Sequence, residues 1–310
     1  MSTTAPNLAV TVGRLRMATP VMIASGIYGY GEELKDLAGL EGVGAFVLKT
    51  VTPKPRLGNP PHGRIVETPA GIVNSIGLEN PGIEAFLAEK LPAAQRLGVP
   101  LVASIAGETD EEFADLARRM DGAEGIAALE LNISCPNVER GGMLFGCDPA
   151  LAAGAAAAAR AATGMTLIAK LTPNVTDIAQ VARACEEAGA DAVSLVNTFS
   201  AMAIDVETRR PLLGGNFGGL SGPAIRPAAV LRVYQEARAV EVPVIGMGGV
   251  WEARDALEFI IAGAAAVGVG TVLYSDPGRP QAIVAGIGEF LAQEAIADIA
   301  DLVGTVRLNA

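Results

Sequence analysis

The chain has 310 residues, of which 50% are hydrophobic and 18% charged, and its net charge is −11. That length allows one large core or two domains, and the acidic balance argues against an electrostatic nucleic-acid binder, which needs a basic face. The longest apolar runs are rich in Ala and broken by Gly, so none reads as a membrane span of about 20 residues. The stretch 1–12 lacks the charged and apolar regions of a secretory signal. The three cysteines, Cys135, Cys147 and Cys185, are odd in number and far apart, and no C-x-x-C occurs. This usage fits a reducing cytoplasm, with no disulfide framework and no iron–sulfur or structural zinc site in this chain. Aromatic residues are only 4%, so aliphatic side chains and Ala must fill the core.

In chain order the sequence alternates short apolar runs with helical patterns. The runs predict strands over 21–24, 45–48, 100–103, 128–133, 166–171, 192–196, 243–246 and 266–269. The intervening patterns predict helices over 32–40, 81–97 (interrupted near Pro92), 110–120, 148–162, 177–188, 224–239, 252–262 and 280–293. Thr109 and Asp148 stand at helix starts as caps, with acids in the first turn after Thr109. The strands are continuously apolar rather than alternating, which means that both faces are buried, as in parallel sheets. Eight such units predict an α/β protein, a single (β/α)8 TIM barrel domain over 1–310. An open doubly wound sheet is the alternative, but it usually has fewer units and an early glycine fingerprint, which 23–29 lacks.

Two stretches break the alternation. Residues 52–80 are rich in Pro and Gly and contain 63–67 and 71–74, which can pair as a hairpin. Residues 199–222 end in a Gly-rich run. Both leave the C-terminal ends of strands, where barrel active sites sit, so they read as lids or pocket walls; tolerated surface insertions are the bland alternative.

In a barrel the strand ends share one rim. Ser25, Lys49, Thr50, Ser104, Asn132, Cys135, Lys170, Asn197, Thr198, Gly248, Gly249, Gly270 and Thr271 would converge there, each polar, cationic or Gly where its strand has just been apolar. Gly248–Gly249 and Gly270–Thr271 follow strands seven and eight, where barrels often bind phosphate through backbone N–H groups and a helix N-terminus; a tight turn is the ordinary use of each Gly. Lys170 lies inside a strand and needs a partner, either a ligand with an anionic edge or Glu130 across the barrel. Trp251, at a helix start, would pack or shield the phosphate end. His62, the only histidine, lies in a Pro-rich loop, so proton chemistry at the rim falls to Cys135. A buried inert thiol is the commoner fate of a free cysteine. The tip 132–137 (Asn-Ile-Ser-Cys-Pro-Asn) opposes it, because buried amides need their own partners.

The residues 132–137, Lys49–Thr50 with 55–60 and Glu67–Thr68, 74–78 followed by Asn80-Pro81-Gly82, Asn197–Thr198, 219–222, 246–249 and 268–271 resemble the class 1 dihydroorotate dehydrogenases over nearly the whole chain. Cysteine rather than serine at the base position, and no N-terminal membrane extension, set it apart from class 2. The signatures are most similar to the NAD-linked B subtype, with the A subtype next. The resemblance implies oxidation of dihydroorotate to orotate in pyrimidine biosynthesis, with Cys135 taking the C5 proton and FMN the hydride from C6. It implies FMN contacts at Ser25, Lys49, Thr50, Ser104, Asn132, Lys170, Val196, Gly222, Gly248, Gly249, Gly270 and Thr271. Substrate contacts would be Lys49, Asn74, Ser75, Ile76, Gly77, Leu78, Asn132, Asn137, Asn197 and Thr198. Ser104 stands where the family usually has Asn and is shorter. The B-type reading implies a homodimer core and a partner subunit carrying FAD and a [2Fe–2S] cluster, forming a heterotetramer. The A-type alternative uses fumarate and needs no partner. Further alternatives are a dihydropyrimidine dehydrogenase-type fragment, a dihydrouridine synthase, and a flavin-free barrel that binds a phosphorylated metabolite.

Overall fold

The computed structural model describes residues 5–32, 40–134, 139–140 and 143–309. Cys135, Asn137 and most of the predicted helix 32–40 therefore lie outside the described residues. Eight parallel strands, Val21–Ile23, Ala45–Val47, Leu101–Ile105, Ile126–Asn132, Thr166–Lys170, Ala192–Leu195, Val244–Met247 and Ala266–Val269, close into a barrel in chain order. The chain is thus a (β/α)8 barrel, and each predicted strand appears within a residue or two of its expected bounds.

Two cores explain why the strands read as continuously apolar. Leu129, Leu131, Leu167, Ala169 and Val193 face the surrounding helices. Ala128, Ile168, Ala192, Ile245 and Ala266 face the barrel interior. Successive residues of a strand point to opposite faces, so burying both faces makes the strands apolar apart from a few internally partnered groups such as Ser104, Glu130 and Ser194. The lower end of the interior is closed by a hairpin that the apolar-run reading did not anticipate. Val10–Val12 pairs antiparallel with Leu15–Met17, and Val12, Leu15 and Met17 join the interior core. Arg14 N donates to Thr166 Oγ1 at 2.8 Å, tying the hairpin to strand five.

The helices begin where the sequence places their caps. Thr109 Oγ1 accepts from Glu112 N at 3.2 Å, and Asp148 Oδ1 from Ala150 N at 2.8 Å. One helix differs from expectation. The segment predicted over 81–97 is helical at Gly82–Ala85, widens to a π turn at Phe86–Lys90, and resumes at Leu91–Ala94. Pro92 has no N–H and its ring crowds the carbonyl a turn earlier, so the irregularity falls in the turn before the proline rather than at it.

At the upper end the two long loops form one sheet. The strands run Phe199–Ala201, Gly218–Ser221, Gly71–Asn74, Ile65–Thr68 in spatial order, all antiparallel. The hairpin within 63–74 is as expected; its joining to the loop after strand six was not legible. That joining depends on missing side chains. A Cβ on Gly71 would lie 1.9 Å from Ser221 O, and one on Gly219 would lie 1.9 Å from Thr198 Oγ1.

One buried charge lies outside the barrel. Glu236, on helix Arg226–Glu236, is fully buried, and neither of its carboxylate oxygens has a hydrogen-bond partner among the described residues. Burial, with Asp177 nearby, pushes its pKa from 4.5 up to about 7. The folded value exceeds the unfolded one, so the native state holds this proton more tightly. The resulting penalty is absent below about pH 4.5, grows as pH rises towards 7 and is complete above that. Glu236→Gln is expected to raise stability at pH 8 by roughly 1–3 kcal/mol and to leave it little changed at pH 4.5. Urea denaturation at the two pH values measures this; an equal effect at both would contradict it.

Candidate functional site

A cavity of about 530 Å³ opens between the upper barrel rim and the added sheet, within the range of about 300–1,000 Å³ usual for ligand pockets. Its wall contains Ser25, Lys49, Thr50, Asn132, Lys170 and Val196 from the strand ends, and Gly222, Gly248, Gly249, Gly270 and Thr271 from the loops above. It also contains Asn74, Ser75, Ile76, Gly77 and Leu78 from the hairpin, and Asn197 and Thr198 after strand six. Of the described candidates, only Ser104 is not in the wall. It is fully buried below the rim, and its hydroxyl lies 2.9 Å from Thr50 Oγ1. The shorter side chain thus supports Thr50 instead of reaching the cavity. His62 is exposed and outside the wall.

The rim is organised by a run of side-chain hydrogen bonds. Asn132 Nδ2 donates to Thr50 Oγ1 at 2.9 Å, Ser134 Oγ donates to Asn132 Oδ1 at 3.0 Å, and Asn197 Nδ2 donates to Ser134 Oγ at 2.7 Å. Thr198 N completes the run on Asn197 Oδ1 at 2.9 Å. Ser134 was not among the candidate residues, yet it bridges the ends of strands four and six. The signal for it was its place two residues after Asn132, on the same face of the extended chain. Satisfied in this way, each amide is fixed in orientation and still carries hydrogen-bonding capacity for a planar ligand.

Lys170 lies lower, inside the barrel, and is 4% exposed. Its ammonium donates to Ser25 Oγ at 2.9 Å and lies 3.5 Å from Glu130 Oε1. Glu130, 2% exposed, also accepts from Ser194 Oγ at 3.4 Å. Of the two partners open to Lys170 on the sequence, the carboxylate is therefore present. The ammonium still faces the cavity, so the pair does not exclude a ligand above it. Lys49 is half-buried in the wall and has no ion-pair partner among the described residues. An unpaired cation in a part-dry cavity favours an anionic group there.

The hairpin loop is held from behind. Asn59 Nδ2 donates to Ser75 O at 3.0 Å and to Ser75 Oγ at 2.8 Å, and Arg64 Nε donates to Asn59 O at 2.8 Å. Leu78 has φ +55°, a conformation that costs a side-chain-bearing residue about 1 kcal/mol or more. Asn80 restrains it, donating to Leu78 O at 2.7 Å and accepting from Gly82 N at 2.9 Å. Phe217 and Tyr274, both more than half exposed, also line the cavity. Sequence reading missed them because exposed aromatics in loops carry no periodic signal.

At the opposite end the wall is backbone. The N–H groups of Gly248, Gly249, Gly270 and Thr271 have no hydrogen-bond partner among the described residues. Gly248 (φ +124°) and Gly249 (φ +79°) occupy conformations that L side chains rarely adopt. The N-terminus of the helix after strand seven, Ala253–Ala262, is partly occupied from within the chain. Asp255 Oδ2 already accepts from Trp251 N at 2.8 Å and Glu252 N at 2.9 Å. The anion-binding capacity at this end therefore resides in the glycine turns. Unpartnered N–H groups in a concave, side-chain-free turn suit a phosphate.

The two described cysteines offer no base. Cys185 is fully buried, and burial pushes its thiol up to about 12; Cys147 is exposed beside Asp148 and outside the cavity wall. Among the described residues no cluster of three His, Cys, Asp or Glu is placed to hold a metal ion, and no helix is long and apolar enough to cross a membrane.

A parallel barrel with a phosphate-suited turn beyond strands seven and eight, and an amide- and lysine-lined cavity on the same rim, defines a ligand-binding barrel of the kind that carries enzyme sites. The chain belongs to the dihydroorotate dehydrogenase family, whose pattern matches residues 7–291. It is 54% identical over 302 residues to the protein named dihydroorotate dehydrogenase B (NAD(+)), catalytic subunit, of Trichlorobacter lovleyi, covering 97% of this chain and 99% of that one. The protein of the same name from Desulforudis audaxviator is 56% identical over 299 residues, covering 96% of this chain and 97% of that one.

The Lys170–Glu130 pair can be tested directly. Lys170→Met leaves the Glu130 carboxylate buried without its cation, and is expected to destabilise the ligand-free protein by about 3–5 kcal/mol. Adding Glu130→Gln should recover most of that loss. Denaturation midpoints of the single and double variants decide it; no recovery in the double variant would show that Glu130 is not the partner that matters.

Proposed function

We propose that this chain is the catalytic subunit of an NAD-linked dihydroorotate dehydrogenase, a single-domain barrel acting in the cytoplasm, which oxidises dihydroorotate to orotate in pyrimidine biosynthesis. The observation that carries the reading is one cavity that joins a phosphate-suited backbone cradle to a rim of amides and lysines. The wall fits FMN on its own terms. The cradle at Gly248, Gly249, Gly270 and Thr271 would take the phosphate. A Cβ on Gly270 would have no neighbour closer than 3.5 Å, so its absence leaves open space in the wall and relieves no clash. Lys170, Ser25, Thr50, Asn132, Val196 and Gly222 would hold the ring system. When bound, FMN supplies the hydride acceptor for C6 of dihydroorotate.

The remaining chemistry falls to this chain's own residues. Lys49 answers the substrate carboxylate. Asn74, Asn132, Asn137 and Asn197 present donors and acceptors to the amide edges of the ring, with Ser75, Ile76, Gly77, Leu78 and Thr198 closing round it. Cys135 takes the C5 proton, which the adjacent carbonyl activates but a positioned base must still remove. Only a thiolate can do so, and an unperturbed thiol near pKa 8.5 is mostly protonated at neutral pH. Turnover is therefore expected to rise with pH until that thiol is ionised. Electrons leave through a partner subunit carrying FAD and a [2Fe–2S] cluster, in a heterotetramer built on a homodimer core.

The purified chain is expected to be yellow and to shift its flavin absorption when orotate, but not uracil, is added. A colourless chain that takes up no FMN would favour a flavin-free barrel instead. Cys135→Ala is expected to retain the flavin spectrum and lose turnover by about 10²–10⁴-fold; near-normal turnover would remove Cys135 from the mechanism. Fumarate-supported turnover by the isolated chain would sink the NAD-linked assignment.

A further inference from the structure

We propose that the ion pair between buried Asp255 and part-exposed Arg226 is a positioning device for the phosphate cradle, locking the turn after strand seven to the loop that enters the helix after strand six. This rests on the flavin reading above. The turn 248–252 begins with Gly248 and Gly249, both at positive φ, so its first residues have no side chains with which to hold themselves. Its far end is held by one carboxylate. Asp255, 2% exposed, accepts Trp251 N and Glu252 N on Oδ2 at 2.8 and 2.9 Å. Its other oxygen, Oδ1, pairs with the guanidinium of Arg226.

Arg226 opens helix Arg226–Glu236, directly after Gly222 and the 3-10 turn Pro223–Ile225. Gly249 touches this second segment. A Cβ there would lie 2.7 Å from Gly222 O and 2.8 Å from Arg226 Cβ. The two segments thus meet with no intervening side chain, and the ion pair bridges them just outside the contact. Glu258 Oε2, one helical turn beyond Asp255, lies 3.5 Å from Arg226 Nε without a hydrogen bond to it, so the carboxylate of Asp255 is the guanidinium's principal partner. Gly222, Gly248, Gly249 and Trp251 line the cavity, whereas Asp255 and Arg226 line a smaller, more open pocket that shares Trp251 with it. From outside the cavity wall the pair reaches the cradle through the turn.

A simple helix cap explains less. Asp255 is the N3 residue of a capping box with Glu252, a role that needs only an acceptor for the N-cap N–H, which a neutral side-chain amide also provides. It does not need a carboxylate desolvated to 2% exposure and matched by an arginine from another helix. A charged acceptor paired across two segments fixes their relative position, which is what a preorganised anion cradle requires.

The test compares FMN with riboflavin, which has the same ring and no phosphate, binding to the flavin-stripped full chain by quenching of flavin fluorescence. Asp255→Asn keeps one acceptor but places an amide donor against either the turn or Arg226. It is expected to weaken FMN by about tenfold or more and to leave riboflavin within about twofold, so that the preference for FMN collapses. Arg226→Met, at a part-exposed position, is expected to change the preference in the same direction and carries the test if Asp255→Asn does not fold. An unchanged preference in both variants, or an equal loss of FMN and riboflavin, would overturn the proposal in favour of a merely structural pair. If the unaltered chain binds neither flavin, the flavin reading itself fails, an outcome distinct from either of these.

Discussion

The site depends on the placing of a charged, hydrogen-bonding layer inside a closed barrel. Lys170 and Glu130 face one another within the barrel wall, with Ser25 and Ser194 completing their partners. A buried ammonium or carboxylate alone would be several kcal/mol too costly, so the two strands that carry them must keep register. They do: Lys170 stands beside Asn132 and Ile168 beside Glu130 in the parallel ladder. The same register places Asn132 level with Lys170 and one inward position above Glu130, at the rim. Glu130, Asn132 and Lys170 are thus inward positions of two neighbouring strands, and a slip of one residue in either strand would turn its members outward.

Below this layer the interior is apolar and plugged by the hairpin of Val10–Val12 and Leu15–Met17. Above it the interior is open and polar. The barrel is therefore asymmetric along its axis, with stability concentrated at the lower end and ligand-binding groups at the upper. The added sheet completes the division by covering the open end with residues from two distant loops. Its glycines carry that closure, since Gly71 against Ser221 and Gly219 against Thr198 admit no side chain. The turns after strands seven and eight are backbone for a related reason. N–H groups can approach an anion closely only where no Cβ intervenes.

How far the site could be read in advance varied with the physical origin of each part. The rim lysines, asparagines and glycines were legible because each interrupts an apolar strand, and a closed barrel brings strand ends together whatever the loops do. Ser104 was legible as a strand end but not as a support: whether a short hydroxyl meets the cavity or its neighbour Thr50 depends on a difference of one layer. Ser134, Asn59 and Arg64 were not legible as positioning groups, because their partners are fixed only when the loops fold back on each other. The partner of Lys170 lay between these cases. Glu130 was a candidate as a carboxylate across the barrel; it lies instead on the adjacent strand four, and geometry supplied the distance.

The sequence by itself determined the barrel and the end at which its chemistry lies. Those follow from local periodicity and from the constraint that strands buried on two faces must be largely apolar. Only the tertiary structure decided how the two long loops join into one sheet, which carboxylate meets Lys170, and that Asp255 pairs with Arg226 beside the glycine turn. These are contacts between residues about 30 to 150 positions apart, and they depend on exact register and close approach, which no local pattern encodes.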